Sequence, residues 1–150
     1  MKILLAVDGS AFSEAAIQAV ATQPWPAGSV VKVISAIKLP FVPTAETRSL
    51  PESPYSQIEK ARTEQAQASI ANALAVLHEQ VGQGISIESA TIIGDPREVI
   101  LDAATAWQAD LIVLGSSGLS GFKRFMLGSV ALSVLNYAPC SVQIVRRKPD

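Results

Sequence analysis

The sequence predicts an α/β fold: a doubly wound, five-stranded parallel sheet with helices on both faces. Three observations carry this. Short apolar runs alternate with longer helical patterns along 150 residues in the order β-α-β-α-β-α-β-α-β, which implies parallel pairing through right-handed crossovers. Two of the runs, residues 2–7 (KILLAV) and 111–114 (LIVL), are continuously apolar after the leading Lys2, as strands covered on both faces are. The second run passes through a glycine-rich turn directly into a helix.

The first strand covers residues 2–7 and ends at Asp8-Gly9-Ser10. A helix follows over about residues 11–21, with Phe12, Ala16 and Val20 recurring every four residues as its buried stripe. Gln23-Pro24-Trp25-Pro26-Ala27-Gly28 leaves little room for regular structure. Residues 29–37 (SVVKVISAI) are rich in β-branched side chains and form the second strand. Residues 38–54 carry four prolines, and a loop of that length is a plain connection or a lid near the ligand end of the sheet.

The longest helix covers residues 56–80, with Ile70, Leu74, Leu77 and Val81 on one face. Its first half has only Ile58 and alanines, and is expected to project past the sheet or to pack weakly. His78 is a solvated or edge residue, with no ligand partner at metal spacing. Gly82-Gln83-Gly84 closes the helix, and residues 85–93 alternate apolar and polar as an edge strand with one wet face. Asp95 is the expected N-cap of the next helix, with Pro96 at its first position and Glu98 placed to complete a capping box. That helix runs to about Trp107 with Val99, Ala103 and Trp107 on one stripe. The last helix, residues 129–137, turns Ala131, Val134 and Leu135 inward and stops at Ala138-Pro139 before the strand at residues 141–145 (SVQIV).

Composition narrows the functional classes. Apolar residues make up 49% and charged residues 17%, so a substantial core is expected and disorder is not. The length suits one domain without a linker or internal repeat. A net charge of −1 argues against nucleic acid as the main partner, and Arg146, Arg147 and Lys148 form the one basic cluster, read as a solvated end. Cys140 is the single cysteine, expected to be an inert, buried thiol, so no internal disulfide forms and a reducing, cytoplasmic setting fits. The apolar run at the start is too short for a signal-peptide core, and no stretch has the length of a membrane span.

The chemistry concentrates after the fourth strand. Gly115, Gly118 and Gly121 fall within seven positions, with serines at 116, 117 and 120, and Gly128-Ser129 opens the last helix. Glycines turn backbone N–H groups toward one point and let a ligand approach without a Cβ in the way. The first N–H groups of the following helix have no internal partner and carry the positive end of its dipole. Phosphate is the natural occupant. The spacing is neither a phosphate-loop lysine motif nor the dinucleotide fingerprint.

Gly115-x-x-Gly118, nine residues, then Gly128-Ser129 resembles the ATP-binding signature of the universal stress protein family. The opening strand with Asp8, the Gly94-Asp95-Pro96 turn and the Pro-Cys-Ser lead into the last strand extend the resemblance over essentially the whole chain. It implies strand order 3-2-1-4-5 and a ligand between Asp8-Gly9 and Gly115-Ser116. It implies adenine contacts from Asp8 and the Ala36 backbone, a ribose near Gly115, and phosphates on Gly118, Gly128, Ser129 and Val130, with Gly121 inside the same loop. Ser129 would donate to phosphate while capping its helix. Many family members have histidine where this chain has Ser117. Lys123 and Arg124 either screen phosphate charge or form the solvated side of a short turn with Phe122, Phe125 and Met126 inward, the second being preferred.

Two functions follow. One is an ATP-holding regulator or sensor of stress, with AMP or ADP as other ligands and a divalent metal accompanying the phosphates as an option. The other is a slow ATPase or nucleotidyl-transfer enzyme. Residues 115–134 contain no Asp, Glu or His, which favours the regulator. An interaction module with an empty pocket is a third, weaker reading. The resemblance also implies a homodimer through residues 141–145, a strongly β-forming strand on an open edge.

Overall fold

The structure is a computed structural model that describes residues 1–40, 44–45, 53–119 and 126–147. Its elements are β1 (Lys2–Ala6), α1 (Ala11–Thr22), β2 (Val30–Ile37), α2 (Pro54–Gln80), β3 (Ser86–Ile93), α3 (Pro96–Trp107), β4 (Leu111–Gly115), α4 (Ser129–Tyr137) and β5 (Ser141–Val145). The strands form one parallel sheet in the order β3-β2-β1-β4-β5. This is the doubly wound α/β architecture expected from the alternation of elements.

Side-chain alternation along β1 divides the core in two. Ile3, Leu5 and Val7 face Ile17 and Val20 of α1 and Ile70, Ala73 and Leu77 of α2. Leu4 faces the other way, onto Val99, Ile100 and Ala104 of α3 and Ala131 and Val134 of α4. Residues 3 to 5 are fully buried because helices cover both faces of the central strand. Each such side chain contributes about 1.5–3 kcal/mol of transfer free energy. β3 instead alternates half-buried and exposed residues, as an edge strand does. No helix among the described residues is long and apolar enough to cross a membrane.

Capping explains where the helices start. Ser10 caps α1 by accepting from the Ser13 N–H at 3.1 Å. α2 begins two residues before the expected start, because Ser53 accepts from the Ser56 N–H at 3.2 Å and Pro54 fills a first-turn position that needs no donor. Asp95 caps α3 as expected, but the capping box does not form. Its Oδ1 accepts the Arg97 N–H at 3.0 Å, and the Arg97 guanidinium grips both carboxylate oxygens, Nε at 2.9 Å and Nη2 at 3.1 Å. Lys38 Nζ donates to Oδ2 at 3.1 Å. Arg97 and Lys38 brace the Asp95 carboxylate, and the bond expected from the Asp95 N–H to Glu98 is not made.

Other expectations are corrected on packing grounds. The stripe of α3 is Val99, Ile100 and Ala104, with Ala103 and Trp107 half-buried beside it. Leu135 is 48% exposed, since the face of α4 toward the sheet is formed by Ala131 and Val134, with Val130 partly buried beside them. Met126 is 67% exposed, not inward. Phe122, Lys123, Arg124, Phe125 and Gly121 lie outside the described residues, as does most of the candidate lid at residues 38–54. His78 is exposed and Cys140 half-buried, where burial, then the Asp110 charge, pushes its thiol pKa up. A thiol held protonated is a poor nucleophile.

The Asp95 contacts give a pH prediction. The Arg97 guanidinium, and after it Lys38, hold the Asp95 carboxyl well below the ordinary carboxylate range. A depressed folded-state pKa stabilises the fold above the unfolded value, about 3.9, and that contribution fades as pH falls further. Asp95→Ala is expected to cost about 1 kcal/mol in urea denaturation. The deficit should be the same at pH 7 and pH 5 and shrink below pH 4. A deficit that grows on acidification would contradict this assignment.

Candidate functional site

A cleft of about 460 Å³ opens at the carboxyl ends of β1, β2 and β4. Its place follows from topology. The chain winds outward from β1 to β3, crosses back, and continues on the other side of β1, so the strand ends diverge between β1 and β4. Ala6 to Asp8, Ile34 to Lys38, and Leu114 with Gly115 form the floor. Arg62, Gln65 and Ala66 of α2 form one wall. Pro96 and Ile100 of α3, with Gly128, Ser129, Val130 and Ala131 at the start of α4, form the other. The volume suits a small organic ligand.

The turn after β1 holds Asp8 in one orientation. Its Oδ1 accepts from the Ser10 N–H at 2.9 Å, and its own N–H donates to Ser13 Oγ at 3.2 Å. Gly9 between them has φ +80°, and a Cβ there would lie 2.8 Å from Ser69 Oγ of α2. The second carboxylate oxygen, Oδ2, is left toward the cleft, 2.9 Å from where a Cβ on Gly118 would be. Gly118 thus lets the loop after β4 lie against Asp8.

Beside Asp8, the edge of β2 is open. The ladder between β1 and β2 ends with the Val7 N–H donating to the Ile34 carbonyl at 2.9 Å. Backbone groups alternate sides along a strand, so the N–H and C=O of Ala36 point the same way as those of Ile34, into the space past the end of β1. Ile37 points to β3, where its carbonyl accepts the Gly94 N–H at 3.1 Å. Among the described residues, the next rung from the Ala36 N–H to the Val7 carbonyl is not made. One donor and one acceptor therefore face the cleft side by side.

The third component is the start of α4. Gly128, not Ser129, is the N-cap, and no side chain caps the helix. The Gly128 N–H donates to the Ser116 carbonyl at 2.8 Å, and the Ser116 N–H to the Val145 carbonyl at 2.9 Å, which closes the neck of the loop. The first α4 N–H within the helix to find a carbonyl is that of Leu132, on Gly128 at 2.9 Å. The N–H groups of Ser129, Val130 and Ala131 precede it, have no intrahelical partner, and belong to residues that line the cleft. A Cβ on Gly128 would lie 3.1 Å from Ser117 Cα, tight enough that the neck would have to give by a few tenths of an ångström to admit one.

Of the residues singled out in the sequence, Asp8, Ala36, Gly115, Gly118, Gly128, Ser129 and Val130 line the cleft. Gly9 and Ser116 do not: one is turned onto Ser69 and the other is buried behind the neck. Gly115 has a packing role as well, because a Cβ there would lie 2.6 Å from the Phe12 carbonyl carbon. Sequence reasoning missed Lys38, Arg62, Gln65 and Pro96. The signal for the α2 residues was the lack of an apolar stripe in the first half of that helix, which leaves a face for the cleft. Among the described lining residues Lys38, which is paired to Asp95, and Arg62 are the cations and Asp8 the acid.

Comparison with known proteins meets the same fold. The family model described as "Universal stress protein family" matches residues 1–146. The chain belongs to the universal stress protein family. A universal stress protein of Thermus aquaticus is 34% identical over 96% of this chain and 97% of its own. One from Synechocystis is 39% identical over 61% of this chain, a match that spans 60% of that relative. Among solved structures, hypothetical protein MJ0577 superposes with a TM-score of 0.78 at 27% identity, over 99% of this chain and 97% of that one. A universal stress protein in complex with cAMP gives 0.65 at 23% identity, over 97% and 96%. A family protein from Arabidopsis thaliana with AMP bound gives 0.68 at 17% identity, over 100% and 94%. The last two carry the fold alone to this chain.

Proposed function

We propose that this universal stress protein binds an adenine nucleotide in the cleft and acts as a stress-response regulator or sensor. ATP is the foremost candidate, with ADP and AMP as alternatives. The observation that carries the reading is the pairing of two open backbone sets across one cleft. The Ala36 N–H and C=O suit the edge of a flat heteroaromatic base, and the N–H groups of Ser129, Val130 and Ala131 suit a phosphate. Asp8 accepts from an exocyclic amine of the base, Gly115 leaves room for the ribose, and Gly118, Gly128, Ser129 and Val130 hold the phosphates. The solved relatives with AMP and cAMP support the same ligand class. Asp8 is also the described acid able to meet a divalent cation brought in with the phosphates.

Hydrolysis is slow or absent on this reading. Phosphoryl transfer needs a side chain that orients the attacking water, and residues 115–134 hold no Asp, Glu or His for that task. A slow ATPase remains the alternative, resting on Asp8. A cytoplasmic setting fits the lone protonated Cys140.

Assembly is part of the proposal. β5 is the sheet edge beyond β4, and none of its residues is fully buried. Antiparallel pairing of β5 with a second copy about a two-fold axis would consume both open edges and close the assembly.

Two variants test the proposal. Proline at Ser129, the first position of α4, preserves helical geometry but removes one N–H and the hydroxyl. Calorimetric titration is expected to show ATP binding by the wild type and affinity at least about tenfold weaker in Ser129→Pro, with an unchanged unfolding midpoint. Equal ATP affinity in the two proteins, or no binding by the wild type, would refute the nucleotide site. For assembly, light scattering should give a dimer mass for the wild type and a monomer mass for folded Val142→Pro, which lacks an outward-facing donor: Val145 turns its carbonyl to Ser116 beside β4, so by alternation Gln143 also faces β4 while Val142 and Ile144 face the open edge. A monomeric wild type, or a dimer that survives the substitution, places the contact elsewhere.

A further inference from the structure

α2 is longer than the sheet it covers. Its 27 residues span about 40 Å, against about 26 Å for the eight residues of β2, the strand it follows. As a crossover helix it runs antiparallel to the strands, so its first half stands above their carboxyl ends, beside the cleft. Arg62, Ala66 and Ser69 recur at steps of four and three and share one face. Ser69 meets the Gly9 turn, Ala66 is buried, and Arg62 and Gln65 line the cleft. The stripe climbs from the Asp8 turn, and Arg62 lies about 10 Å above it along the helix axis.

Arg62 has no partner to explain it. Among the described residues it makes no ion pair or hydrogen bond, whereas the other cleft cation, Lys38, is engaged by Asp95. Glu59, one turn earlier on α2, is not within ion-pair distance of it, and Glu64 is paired to Lys60. A guanidinium keeps its charge at any physiological pH, and its planar fork matches the oxygens of a phosphate. α2 and α4 lie on opposite faces of the sheet, so the open N–H groups of α4 and the Arg62 fork belong to opposite walls of one cleft.

Resting on the nucleotide reading, we propose that Arg62 is a second anion-binding group of this cleft, which engages the phosphates from the α2 wall and makes affinity depend on phosphate number. The α4 terminus holds any phosphate, while Arg62 adds to the binding of a polyphosphate more than to that of a nucleoside. The first half of α2 is then a binding wall, which accounts for its poverty in apolar residues.

The test is calorimetric titration of wild type, Arg62→Gln and Arg62→Lys with ATP, AMP and adenosine at fixed ionic strength. Arg62 is exposed and glutamine is a good helix former, so the fold should be kept. Arg62→Gln is expected to weaken ATP about tenfold, AMP less, and adenosine less than about twofold, and Arg62→Lys to recover part of the ATP loss. An unchanged ATP affinity in Arg62→Gln, or equal losses for ATP and adenosine, overturns the proposal while leaving the nucleotide site standing. A wild type that binds none of the three overturns both.

Discussion

The close approach of α1 to the end of β4 at Gly115 is the constraint from which the rest of the cleft follows. A single added carbon there would lie 2.6 Å from the Phe12 carbonyl carbon, far inside contact distance, and the backbone it meets cannot swing away as a side chain could. With glycine, the first turn of α1 settles over the strand end. Asp8 and Ser10, which feed that turn, are then set beside the loop that leaves β4. The register between β1 and β4, Ile3 with Leu111 through Leu5 with Val113, fixes the same two turns from below. Gly118 extends the fit by lying against the free oxygen of Asp8. The glycines of this motif thus serve packing between protein segments as much as approach by a ligand.

Two of the polar features this leaves open to the cleft are backbone groups. Ala36 presents a donor and an acceptor because β1 ends before β2 does, and α4 presents its first N–H groups because glycine rather than serine occupies the cap. Neither feature needs a particular side chain. Both are held by burial elsewhere, in the two cores on either side of β1, so the groups are oriented before any ligand arrives. Preorganised dipoles of this kind lose little on binding, since no side-chain rotamer has to be frozen.

Much of this was legible in the sequence, for reasons that differ from one element to the next. Continuous apolar runs such as residues 3–7 and 111–114 mark strands covered on both sides, and Asp95-Pro96 marks a helix start by local chemistry alone. The strand order was not derivable from those residues and came with the family resemblance. Local reasoning failed where two local solutions compete. Glu98 is placed to accept from the Asp95 backbone N–H and complete a box, but the cap is instead braced at the Asp95 carboxylate, where Arg97 donates a charge-assisted fork. Ser129 is a better cap than glycine by preference, yet the neck contacts of Gly128 with Ser116 and Ser117 place the cap one residue earlier. Arg62 was invisible because a polar residue on a long helix is usually a solvated one. Only the length of α2 relative to the sheet turns its first half into a wall.

The central claim is that the backbone of Ala36 and the open end of α4 together receive one adenine nucleotide. Amide chemical-shift perturbation during titration with ATP reads those groups directly, without altering the protein. The account predicts that the amides of Ala36, Ser129, Val130 and Ala131 shift along a common saturation curve, while those of the distant β3 residues Glu88 and Ser89 stay in place. Saturating ATP that leaves the α4 amides unmoved, or that shifts them with a midpoint different from that of Ala36, would contradict it.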